Sequence, residues 1–317
     1  MINVIEKIQS TGGKTAFSFE LLPPLKGNSL DGVYYTIDTL REFDPKYINI
    51  TTHRSELVYR KKPDGSSELI AHRHRPGTVA IAAAIQHKYN IPVVPHIICS
   101  GFTKEETEYA LIDLQILGIN NLLLLRGDKG KHEEVYTPTG NRYATDLQMQ
   151  VNQFNQGFFL DGTEMNVAMQ PFSYGMACYP EKHSEAPDLE SDLKYAKMKV
   201  DAGADYLVTQ MFFDNQKYYD FVEKCKEAGI HVPIIPGIKP ITLMSQLTVL
   251  PKIFHTHIPD ELAEALRVCK TDEEAVEVGV EWCTRQAKDL IAHGVPSIHF
   301  YSLMATESVK RVAQAAY

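Results

Sequence analysis

A single carboxylate inside an apolar stretch is the first feature of this sequence that points to chemistry. Glu20 lies in FSFELLPP, which spans Phe17 to Pro24. Burying a carboxylate is costly, so such a residue is usually paired, protonated or functional. Arg126 is the partner considered for a purely structural ion pair. The sequence therefore leaves two interpretations of Glu20, a buried salt bridge and a functional carboxyl group.

Polar residues also fall in or just after other apolar runs of the chain. They are Thr51, His96, Arg126, Asp128, Tyr179, His183 and Gln210, with Gly127 between the arginine and the aspartate. Taken alone, a buried histidine or glutamine is more often a satisfied core residue than a binding residue. In barrel enzymes, however, the carboxyl ends of the strands together form the active site. The joint pattern therefore predicts one site at that end.

Short apolar runs predict the strands that must position these residues. They cover residues 16–22, 46–51, 92–99, 121–128, 172–179, 206–213, 232–238 and 297–303. Near-continuous apolar runs are typical of a parallel sheet that is buried on both faces. The seventh run contains prolines, and the eighth ends in SIHFYSL.

Helical patterns separate the runs. Residues 103–118 begin with a capping box, Thr103 and Glu106, and carry an apolar stripe of Leu111, Leu114 and Leu117. The alternation of strands and helices predicts an α/β protein with a (β/α)8 TIM-barrel fold, and a doubly wound open sheet is the alternative. No linker is visible, so we expect residues 1–317 to form a single domain. The polar segments 61–78 and 129–141 are expected to be loops over the active end, the first of them mobile.

Composition excludes several classes of function. The net charge of −8 does not fit a nucleic-acid-binding protein. No apolar run reaches the ~18 residues of a membrane span, and the N-terminal residues do not resemble a secretory signal. Five cysteines without a CxxC motif favour a reducing compartment. We therefore expect a cytoplasmic protein without a membrane or nucleic-acid partner.

Several segments match known phosphate-binding, dinucleotide-binding or metal-binding motifs only in part or not at all. GGKT at residues 12–15 lacks the first glycine of a phosphate-binding loop and precedes a strand instead of following one. No GxGxxG follows a strand. HRHR (residues 72–75) and HTH (residues 255–257) lack helical i, i+4 spacing and nearby carboxylates, so we predict no metal site.

Eight segments together resemble the bacterial methylenetetrahydrofolate reductases. In chain order they are FSFELLPP, INITTH, PHIIC, LLLLRGDKG, ACYPEKHSEA, KVDAGADYLVTQMFFD, IIPGIKP and IHFYSL. The resemblance covers nearly the whole chain. It implies a barrel flavoprotein that reduces FAD with NADH or NADPH and then reduces 5,10-methylenetetrahydrofolate. It also implies a homo-oligomer, without the regulatory domain of the eukaryotic relatives.

Carried over by position, the resemblance implies a role for individual residues. Glu20 matches the general acid, and Asp128 is expected near the flavin and the substrate cation. The FAD-binding set is Thr51, His96, Arg126, Gly127, Asp128, Tyr143, Ala144, Tyr179, His183, Asp192 and Lys199. Gln210, Gln246 and Tyr301 match the substrate pocket. Leu250 stands where the enterobacterial proteins have an aromatic residue that stacks on the nicotinamide.

One departure concerns the folate tail. The family's usual FYTLNR reads FYSLMA here, so Met304 and Ala305 replace an asparagine and an arginine. Lys239 and Lys310 are the candidate substitute cations. Two other functions remain open from the sequence: a barrel flavoenzyme resembling proline dehydrogenase, and a catalytically silent barrel that binds flavin or folate.

Overall fold

The computed structural model describes residues 3–129, 133, 136–167, 170–303 and 305–317. In that part of the chain the strands are β1 (Ala16–Leu21), β2 (Tyr47–Ile50), β3 (Glu56–Lys61), β4 (Ser67–His72), β5 (Val93–Ile98), β6 (Asn121–Leu125), β7 (Ser173–Cys178), β8 (Tyr206–Thr209), β9 (Ile234–Ile235), β10 (Gly237–Ile238) and β11 (Ser297–Phe300). Each predicted strand is present, but most end earlier than predicted.

The helices fill the intervals between the strands. They are α1 (Val4–Gln9), α2 (Asp31–Leu40), α3 (Thr78–Tyr89), α4 (Lys104–Ile116), α5 (Ala144–Asn155), α6 (Leu189–Asp201), α7 (Asn215–Glu227), α8 (Gln246–Phe254), α9 (Asp260–Arg267), α10 (Asp272–Ala292) and α11 (Thr306–Ala316), with a 3-10 turn at Arg41–Phe43. None of the helices in the described ranges is both long and apolar enough to cross a lipid bilayer.

The strand order confirms the predicted (β/α)8 fold. Across the described residues, nine strands share one sheet in the order β10-β11-β1-β2-β5-β6-β7-β8-β9. β9 and β10 are two pieces of the predicted seventh strand, separated at Pro236, which has no backbone N–H for a ladder. One piece pairs with β8 and the other with β11, both in parallel. The strand order thus returns to the chain segment where it began, so the open-sheet alternative is wrong.

The chain divides into two compact units. The first consists of Leu22–Val33 and Asn49–Tyr174, and the second of residues 3–21, Tyr34–Ile48 and Gly175–Tyr317. The expectation of a single domain stays a prediction.

In the first unit, the loop predicted at residues 61–78 is wrong at Ser67–His72, which form strand β4, while its mobility stays a prediction. β3 and β4 form an antiparallel hairpin, in which Tyr59 pairs with Leu69. The turn contains Asp64 and Gly65, and Gly65 has φ +83°. An Asp-Gly pair between alternating apolar and polar residues is a strong hairpin signal, which the sequence interpretation missed. The second predicted loop, 129–141, lies partly outside the described residues.

Helix α4 of the first unit begins as predicted. Thr103 accepts a hydrogen bond from the Glu106 backbone N–H (3.1 Å), and Glu106 accepts one from the Thr103 N–H (2.8 Å). Leu111 and Leu114 are fully buried, but Leu117 is 42% exposed. The stripe prediction is therefore wrong at Leu117, because that residue is the C-cap and has left the buried face.

The second unit has an aromatic layer at β1 and β11. The ring of Phe17 lies 5.9 Å from that of Phe19 and 5.3 Å from that of Phe300. These rings are almost completely buried. Burial of these side chains stabilises β1 and β11 in the second unit.

Candidate active site

In the first unit, the loop after β6 carries three of the predicted residues. The sequence assigned Arg126–Asp128 to the strand, but β6 ends at Leu125. Gly127 has φ +78°, and a Cβ there would lie 3.0 Å from the Cβ of Ser100. Because a side chain would meet both the backbone strain and this contact, only glycine suits the turn. The turn leaves Asp128 exposed.

The loop is held by residues that the sequence interpretation did not select. Ser100 donates from its backbone N–H to the carbonyl oxygen of Arg126 (2.9 Å) and from its hydroxyl to that of Asp128 (2.5 Å). Arg54 donates to the Ser100 hydroxyl (2.8 Å) and to both carboxylate oxygens of Glu133 (2.7 and 3.1 Å). These partners are 46 and 79 residues from Arg54 in sequence, so no local pattern could have revealed them.

Thr51 and Asp128 belong to one polar group of the first unit. Thr51 follows β2, and its hydroxyl lies 3.2 Å from Nε2 of His53. Partial desolvation and the charge of Arg75 lower the pKa of His53, while the charge of Asp128 opposes them. The structure therefore gathers Thr51, His53, Arg75 and Asp128, of which the sequence singled out the first and last.

The other predicted residues of the first unit lie elsewhere. His96 is buried inside β5, as predicted, and its Nε2 lies 3.2 Å from Nδ2 of Asn49. Arg126 places its guanidinium 5.2 Å from the centre of the Tyr136 ring. Tyr143 precedes α5 and is 47% exposed, and its backbone N–H donates to Asp146 (2.9 Å). Ala144, the first residue of α5, is half-buried.

In the second unit, Glu20 is buried in β1, with 6% of its surface exposed. Desolvation raises the pKa of its carboxyl to about 8, and the positive charge of Lys239 limits the rise. Its backbone carbonyl accepts a hydrogen bond from the Ser302 hydroxyl. At neutral pH the carboxyl is therefore mostly protonated, as the functional interpretation of Glu20 requires.

Tyr301 lies one residue beyond β11, and its phenol donates to the carbonyl oxygen of Thr209 (2.6 Å). A Cβ at Gly237 would lie 2.5 Å from Cε2 of the Tyr301 ring. Burial, followed by the charge of Glu20, raises the pKa of the Tyr301 phenol. The ring is thus fixed between strands as a neutral group.

Four of the predicted FAD residues come together where β7 meets α6. Asp192 accepts a hydrogen bond from the backbone N–H of His183 (2.9 Å), and the His183 ring lies 4.6 Å from that of Tyr179. Lys199 donates to the carbonyl oxygen of Ala177 (2.8 Å), and burial lowers the pKa of its ammonium group. Asp192 and Lys199 share a face of α6 because they are about two helical turns apart.

The two predicted glutamines use their side-chain oxygens locally. Gln210 follows β8 instead of lying within it, and its Oε1 accepts from the Met211 N–H (2.9 Å). Oε1 of Gln246, at the start of α8, accepts from the N–H groups of Thr242 (2.7 Å) and Leu243 (3.2 Å). In each case the amide nitrogen is the part suited to donate to a ligand carbonyl.

Leu250 and Ala305 are both buried. Leu250 belongs to an apolar cluster with Phe213 and Ile241 and is 4% exposed. Ala305 precedes α11 and is 5% exposed. Met304, the other departure from the family pattern, lies outside the described residues.

Glu181, like Arg54, connects two distant segments of the chain through hydrogen bonds, and the sequence analysis did not identify it. Its Oε2 accepts from the Thr256 hydroxyl and from the His257 N–H, both at 2.9 Å. The same hydroxyl lies 3.1 Å from the carbonyl oxygen of Met211, next to Gln210. The carboxylate thus joins the segment after β7 to the segment after α8.

Over the described residues, no group of histidine, cysteine and carboxylate side chains is arranged to hold a metal ion.

The model of the family described as methylenetetrahydrofolate reductase matches residues 4–316. The chain belongs to this family.

Named relatives carry the same description. The chain is 31% identical to methylenetetrahydrofolate reductase (NADH) 1 of Arabidopsis thaliana, over 97% of this chain and 49% of the plant protein. It is 29% identical to 5,10-methylenetetrahydrofolate reductase of Escherichia coli K12, over 95% of this chain and 90% of that protein. The chain therefore spans about half the length of the plant relative.

Solved structures agree on the fold. An uncharacterized protein from Clostridium thermocellum that binds two copies of 5-methyl-5,6,7,8-tetrahydrofolic acid matches with a TM-score of 0.58, at 15% identity over 98% of this chain and 97% of that one. Oxaloacetate acetylhydrolase matches with a TM-score of 0.51, at 10% identity over 96% of this chain and 81% of that one.

Proposed function

We propose that this protein reduces 5,10-methylenetetrahydrofolate to 5-methyltetrahydrofolate with NADH or NADPH as the reductant, through bound FAD. The observation that carries the proposal is the buried Glu20 carboxyl, whose pKa is raised to about 8. Such a group holds a proton at pH 7 and can deliver it, as a general acid must. Family membership supports the choice of substrate.

The predicted FAD residues fit an anionic dinucleotide in their chemistry. Arg126 and Lys199 are cationic, and Gly127 lies in a turn where its positive φ and the nearby Ser100 side chain disfavour other residues. In the proposal the group is held by Thr51, His96, Arg126, Gly127, Asp128, Tyr143, Ala144, Tyr179, His183, Asp192 and Lys199. Bound FAD would supply the redox centre through which hydride passes from the reduced nicotinamide to the folate.

The proposed role of the protein's own groups is to open the methylene bridge. Glu20 gives its proton to N10 of the folate, the C–N10 bond breaks, and a cationic iminium forms at N5, which then accepts hydride. The Asp128 carboxylate stabilises this cation. Gln210, Gln246 and Tyr301 orient the folate, and Leu250 supports the pocket from the apolar cluster.

Anaerobic mixing tests the proposal. The purified protein is expected to be yellow and to release FAD on denaturation. Its flavin absorbance should bleach with NADH or NADPH and return on addition of 5,10-methylenetetrahydrofolate. Release of FMN, or no flavin after reconstitution, would contradict the cofactor assignment. Bleaching by proline would indicate the dehydrogenase alternative, and a bound flavin that neither nucleotide reduces would indicate a silent binding protein.

A further inference from the structure

Lys239 is a buried cation that no part of the proposed mechanism uses. It follows β10 in the segment PGIKP, and 6% of its surface is exposed. Desolvation lowers the pKa of its ammonium group. A buried ammonium is costly unless nearby groups compensate it, so its position needs an explanation.

The strand register places Lys239 at the level of Glu20. Ile238 of β10 and Phe19 of β1 both pair with Phe300 of β11. The residue that follows is Lys239 after Ile238, Glu20 after Phe19 and Tyr301 after Phe300. Since adjacent parallel strands keep their register, the three residues occupy one layer, with Tyr301 between the other two.

Contacts and charge agree with this layer. Nζ of Lys239 lies 3.5 Å from the carbonyl oxygen of Tyr301. The charge of Lys239 lowers the pKa of Glu20, and the charge of Glu20 raises that of Lys239.

Four other titratable groups of the second unit around this layer are neutral near pH 7. Burial raises the pKa of the Tyr301 and Tyr47 phenols and of the Cys283 thiol, and it lowers the pKa of the His299 ring to about 3. Lys239 is therefore the charged group of this layer that opposes the effect of burial on the pKa of Glu20.

We infer that Lys239 is a positioning residue that acts through Glu20: its ammonium group limits how tightly the buried carboxyl holds its proton. Burial alone would raise the pKa of Glu20 further, and a weaker acid transfers its proton more slowly. A nearby cation brings its acidity closer to the working pH, where a general acid is most effective. The inference rests on the proposed function for its catalytic meaning, but the coupling of the two side chains can be measured without it.

The direct test is an infrared titration of the protein without substrate. The carbonyl band of protonated Glu20 is assigned by its loss in Glu20→Gln. In the wild type its midpoint is expected at a pH of about 8. Lys239→Met removes the positive charge and should raise the midpoint by about one unit, within the range that a neighbouring opposite charge produces. Lys239→Arg keeps the charge and should leave the midpoint near the wild-type value.

Lys288→Met is the matched control, since it removes an exposed lysine of α10 and should not move the midpoint. Lys239→Gln provides the same comparison as Lys239→Met if the latter does not fold. A folded Lys239→Met or Lys239→Gln protein with the wild-type midpoint would overturn the inference.

Kinetics separate this inference from the proposed function. The alkaline limb of folate reduction should move upward in Lys239→Met by the same shift as the infrared midpoint, with flavin reduction unchanged. If the infrared midpoint moves but no variant or wild type reduces the folate, the coupling stands and the proposed function fails. If folate reduction proceeds with the same pH profile in Lys239→Met and wild type, the coupling fails and the proposed function stands.

Discussion

Arg54 and Glu133 form a two-pronged ion pair, with N–O distances of 2.7 and 3.1 Å, beside the loop that carries Asp128. The side chains are 15% and 20% exposed, so solvent screens the pair only partly. Arg54 also binds the Ser100 hydroxyl, which in turn holds the Asp128 carbonyl. The pair therefore connects the segment before β3 to the loop that presents Asp128.

Arg54→Lys should loosen this loop, because lysine cannot make the two parallel hydrogen bonds of arginine. We expect a loss of about 1–2 kcal/mol in the free energy of unfolding and slower folate reduction. Urea denaturation and stopped-flow absorbance measure the two effects. Arg60→Lys is the control, since Arg60 pairs with Glu68 at an exposed site and should change neither quantity by much. Equal behaviour of the two variants would show that the pair does not support the loop.

Asp128→Asn should slow folate reduction more than it slows reduction of the flavin by nucleotide. The reason is the proposed negative charge beside the substrate cation, a transition-state interaction whose removal typically costs a few kcal/mol, about 10²-fold or more in rate. Single-turnover measurements of each half-reaction provide the comparison. A similar decrease in both would rule out this role for the carboxylate.

Glu20→Gln keeps the shape of the side chain but cannot deliver a proton. Flavin reduction should continue at a comparable rate, while reoxidation by 5,10-methylenetetrahydrofolate should fall by at least ~10²-fold, as expected for loss of a general acid. Loss of FAD together with both half-reactions would instead support a structural role. A stable yellow variant that turns over folate at the wild-type rate would contradict both interpretations.

The same variant should be more stable than the wild type at neutral pH. The folded-state pKa of Glu20, about 8, lies above its ordinary value of 4.5, so between these values the folded protein holds a proton that the unfolded chain releases. The wild type therefore loses stability as the pH rises through this window, and Glu20→Gln does not. We expect a difference on the order of 3 kcal/mol at pH 7 that vanishes at about pH 4. Urea unfolding at both pH values tests this, and a difference that does not change with pH would argue against it.

Gly127→Ala should destabilise the loop that carries Asp128 and weaken FAD binding. Gly127 and Gly65 have similar φ angles of +78° and +83°, but a Cβ at Gly127 would lie 3.0 Å from Ser100, whereas a Cβ at Gly65 would meet nothing within 4 Å. Gly65→Ala thus measures the backbone strain alone, about 1 kcal/mol. Gly127→Ala should lower the stability to thermal unfolding more than this control does. It should also lose its bound FAD after a smaller dilution than the wild type. Equal costs would mean that Ser100 moves aside freely.

The sequence predicted the strands well and their ends poorly. Met211, Phe212 and Phe213 continue the apolar run of β8 and are buried, yet they lie beyond its last ladder residue, Thr209. An apolar run reports burial, whereas a strand is defined by backbone hydrogen bonds, and the two need not stop together. The same difference explains why Gln210 and Tyr301 follow their strands.

The sequence could identify candidate residues but not the contacts that support them. Glu20 stood out because a carboxylate is unusual in an apolar run. Arg54, Glu133 and Glu181 did not, since each is an ordinary charged residue in a polar segment. Their roles arise from partners 46 or more residues away, which periodicity does not encode. The hairpin of β3 and β4 is different, because its turn signal was present and was not used.

All five cysteines of the sequence are buried and unpaired. Burial raises the pKa of Cys99 and Cys225 to about 12, so at neutral pH almost none of either thiol is in the reactive thiolate form. The natural cysteines should consequently react little with thiol-specific labels in the native protein. A cysteine introduced at Ser66, in the exposed turn between β3 and β4, could carry a fluorophore or spin label without prior removal of the natural thiols.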